Sequence, residues 1–149
     1  MAPCITCVNN ERVGSLPPSE QIYVSDSWRV AHAFGTALPG WLVVVPNTHA
    51  RALHELSSDA AAELGPLLAR LSRALGDVVG CEKSYLAFFA EAEGYEHLHI
   101  HVVPRMAWFG PEQRGPKVFS LLGASAGAEI PQDERDTLAL RLRDAMQAA

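Results

Sequence analysis

The chain has 149 residues, 48% hydrophobic and 19% charged, a balance that suits one globular domain with a real core. Twelve Lys and Arg against 17 Asp and Glu leave a net charge of −5, which offers no sequence-independent grip on a nucleic-acid backbone. There is no basic start leading into an apolar run, no stretch long enough to cross a bilayer, and too few cysteines (Cys4, Cys7, Cys81) for a disulfide framework. A cytoplasmic protein without membrane or nucleic-acid partners is expected.

Cys4 and Cys7, in "CITC", sit at zinc spacing and still need two ligands. A redox pair or frayed terminal thiols fit the same spacing, although a redox pair belongs between a strand and a helix. "NNERVGSLPPSE" reads as loop from its Pro, Gly, Asn and Ser. Two strands follow in "QIYVSD" and "WRVAHAF", and a third, buried one in "GWLVVVP" ends at Pro46. His49 stands three residues later, a candidate partner for the thiols. "THARALHELS" predicts a short helical turn. Residues 57–80 predict a long helix entered through Ser57 or Ser58 and left at Gly80. Its apolar stripe is Leu64, Leu67, Leu68, Leu71 and Leu75, and Pro66 predicts a kink near Gly65 or a break into two helices. "KSYLAFFA" is the fourth strand, "AEGYE" a turn and "HLHIHVVP" the fifth, the last two forming a hairpin. A Gly- and Pro-rich loop over 105–131 precedes a closing helix with Leu138, Leu142 and Met146 on one side. Strands in succession, with helices between and after them, predict an α+β domain on an antiparallel sheet.

The fifth strand carries the chemistry. His97, His99 and His101 alternate with Leu98, Ile100 and Val102, so period two puts the three imidazoles on one face and the apolar residues on the other. A lone histidine on a strand face is usually decoration, but three of the chain's six within five residues point to function. His97 and His101 should stand roughly 13 Å apart at their α-carbons, too far for three collinear rings to hold one tetrahedral metal. Different histidines therefore have different jobs. Elsewhere, Trp41 and His32 read as packing or satisfied polar core, and Cys81 as structural or free. Arg105, Trp108, Phe109, Arg114 and Lys117 could cover a ligand or form a solvated loop with a hydrophobic anchor.

"HLHIHVV" followed by "PR", "LVVVPNTH" and the N-terminal "CITC" together resemble the histidine-triad (HIT) family, notably its fragile-histidine-triad type and its zinc-containing bacterial members. The resemblance runs over residues 4 to 105. It implies a five-stranded antiparallel HIT-like sheet with helices packed on it over residues 1–149, with 105–149 as a C-terminal extension. It also implies a homodimer and a structural zinc held by Cys4, Cys7, His49 and His97. By the same resemblance His99 is the nucleophile, forming a nucleotidyl-histidine intermediate at an α-phosphorus. His101 contacts the phosphate and helps protonate the leaving group. An imidazole is a competent nucleophile near neutral pH, and phosphoryl centres need positioning and charge stabilisation, so the chemistry agrees. Substrates would be nucleoside phosphoramidates, dinucleoside polyphosphates or similar conjugates. Glu93 and Gly94 would bind substrate as the turn before the triad, and Arg105 and Trp108 would do so after it.

The chain also departs from the family pattern. Glu93 stands where the family has Gln, Gly94 where it has a hydroxyl residue, and Ala33 where many members have a ribose-gripping acid. The loop after the fourth strand is about three residues short. Two rival readings follow: a zinc-stabilised nucleotide-binding module without turnover, and a metalloenzyme whose triad holds a catalytic metal.

Overall fold

The computed structural model describes residues 3–123 and 127–148. Residues 124–126 of the Gly- and Pro-rich loop lie outside them. Five strands, β1 (Tyr23–Val24), β2 (Trp28–His32), β3 (Leu42–Pro46), β4 (Lys83–Ala87) and β5 (Ile100–Arg105), form one antiparallel sheet in the order β1-β2-β3-β5-β4. The expected hairpin is present, with β4 and β5 paired from Lys83↔Arg105 to Ala87↔His101. The helices of the described chain are α1 (Ile5–Glu11), α2 (Ser58–Val79) and α3 (Gln132–Ala148), with short 3-10 turns between elements.

Two faces of the sheet have different fates. On one, Trp28 and Val30 of β2, Leu42 and Val44 of β3, and Ile100 and Val102 of β5 pack against Leu67, Leu71 and Leu75 of α2 and Leu142 and Met146 of α3. Burying each such leucine is worth about 1.5 to 3 kcal/mol. Leu67, Leu71 and Leu75 of the α2 stripe are thus buried within the chain itself, with Leu64 and Leu68 partly buried against the same core. The other face carries Arg29 and Ala31 of β2, Val43 and Val45 of β3 and His101 of β5, and it lies open at one end.

The helix start follows the sequence, with the Ser57 hydroxyl accepting from the Ala60 N–H at 3.2 Å. Gly80 closes the helix in the left-handed region at φ 72°, as a residue without Cβ can. The expected break at Pro66 does not occur, and α2 runs uninterrupted for 22 residues. Pro66 and Ala62 both face solvent, so the carbonyl deprived of its partner by proline is hydrated at little cost.

The N-terminal segment differs more. Residues expected as loop after Cys7 belong to α1, a seven-residue helix with Cys4 as its N-cap. The Asn10 side chain holds α1 down by donating to the Pro46 carbonyl at 3.0 Å. β5 begins at Ile100, three residues later than the alternation suggests. Before it the chain leaves the ladder, and the Leu98 N–H bonds to Ala50 O at 2.7 Å instead.

Candidate active site

Cys4 and Cys7 sit one helical turn apart at the start of α1, so both sulfurs lie on one side. His49 follows β3 and His97 precedes β5, and the four ligand atoms lie within 4.8 Å of one another. His97 Nδ1 is 3.5 Å from each sulfur and 3.2 Å from His49 Nδ1, while Cys7 Sγ is 3.3 Å from His49 Nδ1. One nitrogen cannot hydrogen-bond three neighbours at once, whereas ligands about 2.3 Å (sulfur) and 2.05 Å (nitrogen) from a tetrahedral zinc stand about 3.4 to 3.8 Å apart. The set is therefore a convergent Cys2His2 site with zinc spacing. Burial and the Cys4 thiol push the Cys7 pKa up to about 11, so two thiolates coexist here only beside a cation. The Pro46 carbonyl, which can only accept, takes the His97 Nε2–H at 2.9 Å and leaves Nδ1 as the ligand atom.

Two residues on, His99 is held differently. Its Nδ1–H donates to the carbonyl of His97 at 2.9 Å, so Nε2 carries the open lone pair. The ring is half-buried and lines a cleft of about 530 Å³. The sheet register explains the floor: Ala31, Val43 and His101 stand side by side on neighbouring strands, and one row along stand Arg29 and Val45, with His99 across from Val45 just beyond the last paired residues. Phe34, Phe89 and Tyr95 form exposed walls. At one corner Arg29, buried beneath α1, pairs with Glu20 at 3.0 Å and donates to Asn10 Oδ1 at 2.7 Å.

His101 is buried at the inner end, its ring 5.0 Å from that of His99 and nearly perpendicular to it. Trp41 Nε1–H donates to its Nδ1 at 3.0 Å, and Phe119 packs edge-on at 5.1 Å. Trp41, expected as packing, also makes a polar contact with the triad. The signal was its parity with Val43, which faces the histidines once β3 is paired with β5. Phe119 comes from the 3-10 turn Gly115–Leu121, where the sequence shows only a Gly- and Pro-rich run. His32 is the satisfied polar core residue expected: its Nδ1–H donates to Ala33 O at 2.7 Å and its Nε2 accepts from the Gly40 N–H at 3.0 Å.

The other expected contacts are placed as follows. Glu93 and Gly94 form an exposed turn, with Gly94 at φ 83°, next to cleft residues Ala92 and Tyr95 but not in the lining. Ala33 does line the cleft, with no carboxylate of its own. Arg105 lies at the far end of β5 and is paired with Glu82. Trp108 is 61% exposed and packs on Phe109, away from the cleft. Phe109 is the buried anchor of that loop, and Arg114 donates to its carbonyl at 3.0 Å. Cys81 is a free thiol packed at the margin of the main core.

A family model for the HIT domain matches residues 17–107. The chain belongs to the HIT family. The match includes His49 and the whole triad, while Cys4, Cys7 and Phe119 lie outside it. Among solved structures, a Hit-like protein from Bartonella henselae, described as involved in cell-cycle regulation, is 18% identical with a TM-score of 0.70, over 97% of this chain and 98% of that one. A zinc-bound histidine triad family protein from Mycobacterium smegmatis is 20% identical with a TM-score of 0.66, over 98% and 96% of the two chains. A uridylyltransferase is 18% identical with a TM-score of 0.65, but the matched 96% of this chain covers 46% of that one. At such identities these likenesses show a shared fold. Curated proteins searched by sequence give no match.

Proposed function

We propose that this HIT protein is a nucleotidyl hydrolase or transferase that cleaves a nucleoside phosphoramidate, dinucleoside polyphosphate or similar conjugate at the α-phosphorus. The observation that carries this reading is His99, a ring in the cleft whose Nδ1–H is spent on the His97 carbonyl and whose Nε2 is therefore the attacking atom. Attack gives a nucleotidyl-histidine, which water or another acceptor then resolves. His101 presents Nε2–H to a phosphoryl oxygen, and the exposed rings of Phe34 and Phe89 receive the base. Of the outer substrate contacts we retain the turn at Glu93 and Gly94, since Arg105 and Trp108 are engaged elsewhere. Family membership and the likeness to a uridylyltransferase support nucleotide processing.

Cys4, Cys7, His49 and His97 would hold a structural zinc, a reading supported by the zinc-bound relative from Mycobacterium smegmatis. A closed set of four protein ligands leaves the metal no open position for substrate. The metalloenzyme reading accordingly loses His97 to the thiols, and His99 and His101 are not part of the cluster. We place the chain in a reducing cytoplasm, where the thiols persist, with no helix among the described residues long and apolar enough to cross a membrane. A homodimer joined at the edge strand β4, beside exposed Leu86 and Phe88, completes the proposal.

The test is a panel of adenylated and guanylated phosphoramidates and dinucleoside polyphosphates, assayed for mononucleotide release. Acid-free quenching and peptide mass spectrometry should locate a nucleotide on His99. Tight binding without release from any conjugate would instead establish the binding module.

A further inference from the structure

The contact between Trp41 and His101 has no part in the reaction as written. Trp41 is fully buried immediately before β3, and its indole Nε1 is a donor only. His101 Nδ1, 3.0 Å away, must therefore be bare, and the hydrogen of the neutral ring sits on Nε2. Phe119 closes the arrangement edge-on to both rings, at 5.1 Å from His101 and 5.4 Å from Trp41. Resting on the nucleotidyl-transfer reading above, we infer that Trp41 is a positioning residue that locks His101 as a neutral Nε2–H donor. The site consequently takes phosphoanhydrides in preference to phosphoramidates of alkylamines.

A neutral imidazole that gives up Nε2–H must gain a proton at Nδ1 or become an imidazolate. The group facing Nδ1 is an indole N–H, far too weak an acid to supply one. Starting instead from the imidazolium would set N–H against N–H in an apolar box. Burial and the neighbouring His99 push the His101 pKa down to about 4, in the same direction. His101 therefore hydrogen-bonds a phosphoryl oxygen without protonating the leaving group, a narrower role than the resemblance implied. An alkylamine needs that proton, since its conjugate acid has a pKa of about 10. A phosphate, with a second pKa of about 6, departs as a stable anion.

In the first step His99 Nε2 bonds to the α-phosphorus while the P–O bond to the leaving phosphate breaks, the electron pair departing with that oxygen. Water then attacks phosphorus, the N–P bond breaks with its pair returning to Nε2, and the proton of the water passes to solvent.

Two-bond 1H–15N spectra of resting wild-type protein should show His101 protonated at Nε2 and bare at Nδ1. Trp41→Phe should relax this to a mixture of tautomers. Across adenosine and guanosine 5′-phosphate conjugates, kcat/KM should fall at least about a hundredfold from phosphoanhydride to alkylamine phosphoramidate, the range that a missing general acid costs. Trp41→His, which sets a proton-exchanging ring against Nδ1, should narrow that gap about tenfold, whereas a merely structural tryptophan would lower both classes alike. His101 found protonated at Nδ1, or equal rates on both classes, overturns the inference and leaves the nucleotidyl reading standing. No release from any conjugate overturns both. Should Trp41→Phe fail to fold, the wild-type spectrum still decides the tautomer.

Discussion

The two ends of residues 97–101 place the same side chain in opposite surroundings. His97 faces two thiols and a second imidazole, a polar corner that a cation completes. His101 lies between Trp41 and Phe119, in a corner that resists charge. His99, between them, meets the cleft. In each ring one nitrogen is fixed by a partner of single character: the Pro46 carbonyl, the His97 carbonyl or the Trp41 N–H. The lesson is that alternation along the chain supplies the rings, while the partner of the other nitrogen assigns the work.

The largest effect expected on breaking this division is at the centre. His99→Ala should lower turnover at least about a thousandfold, about 4 kcal/mol in barrier, because it removes the proposed attacking atom. Zinc content should stay at one per chain, since His97 keeps its ring in place. Equal turnover by the variant and its parent would remove His99 from the reaction.

At the polar end, Cys4→Ser, Cys7→Ser and His97→Ala should each lose bound zinc and at least about 3 kcal/mol of stability in chemical denaturation, because metal affinity here is folding free energy. Metal analysis reads this directly. Full occupancy in all three variants would mean that the zinc is held elsewhere.

Away from both ends, Leu71→Ala on the opposite sheet face should cost about 3 kcal/mol through the cavity it leaves, with kcat/KM little changed in the folded fraction. A specific loss of kcat at unchanged stability would show that the two faces are coupled. The smallest effect belongs to Trp108→Ala, expected within about 0.5 kcal/mol in stability and without a change in KM, because the ring is solvated and remote from the cleft. A clear rise in KM would bring the loop back to the substrate.

What the sequence made legible follows the strength of its local patterns. The long helix α2 was readable from its leucine period and from the serine and glycine at its ends, and the β4–β5 pairing from its alternation and turn. The cysteine pair, its candidate partner His49 and the alternating histidines were readable from spacing, but the choice of His97 as the fourth zinc ligand rested on the resemblance to the HIT family. α1 was not readable, since seven residues show too little periodicity and the helix is held by tertiary contacts such as Asn10 to Pro46. Nor were the partners of His101. Phe119 reaches His101 through a 3-10 turn from a remote loop, and Trp41 shows its role only once the register of β3 against β5 is known. Of the two outcomes expected at Pro66 the break into two helices does not occur, because the sequence places the proline but not the face on which the unpaired carbonyl falls.

His97 is gripped at three points: its Nδ1 by the metal corner, its Nε2–H by Pro46 and its carbonyl by the ring two residues ahead. The peptide plane between His97 and Leu98 is therefore pinned on one side by the thiols and hands its orientation to His99 on the other. A torque on the N-terminal helix, from a substitution in α1 or from oxidation of its sulfurs, would be geared through that plane into a rotation of the His99 ring. The orientation of the proposed nucleophile would then depend on a stretch of chain whose first cysteine lies 93 residues away in sequence from the histidine beside it.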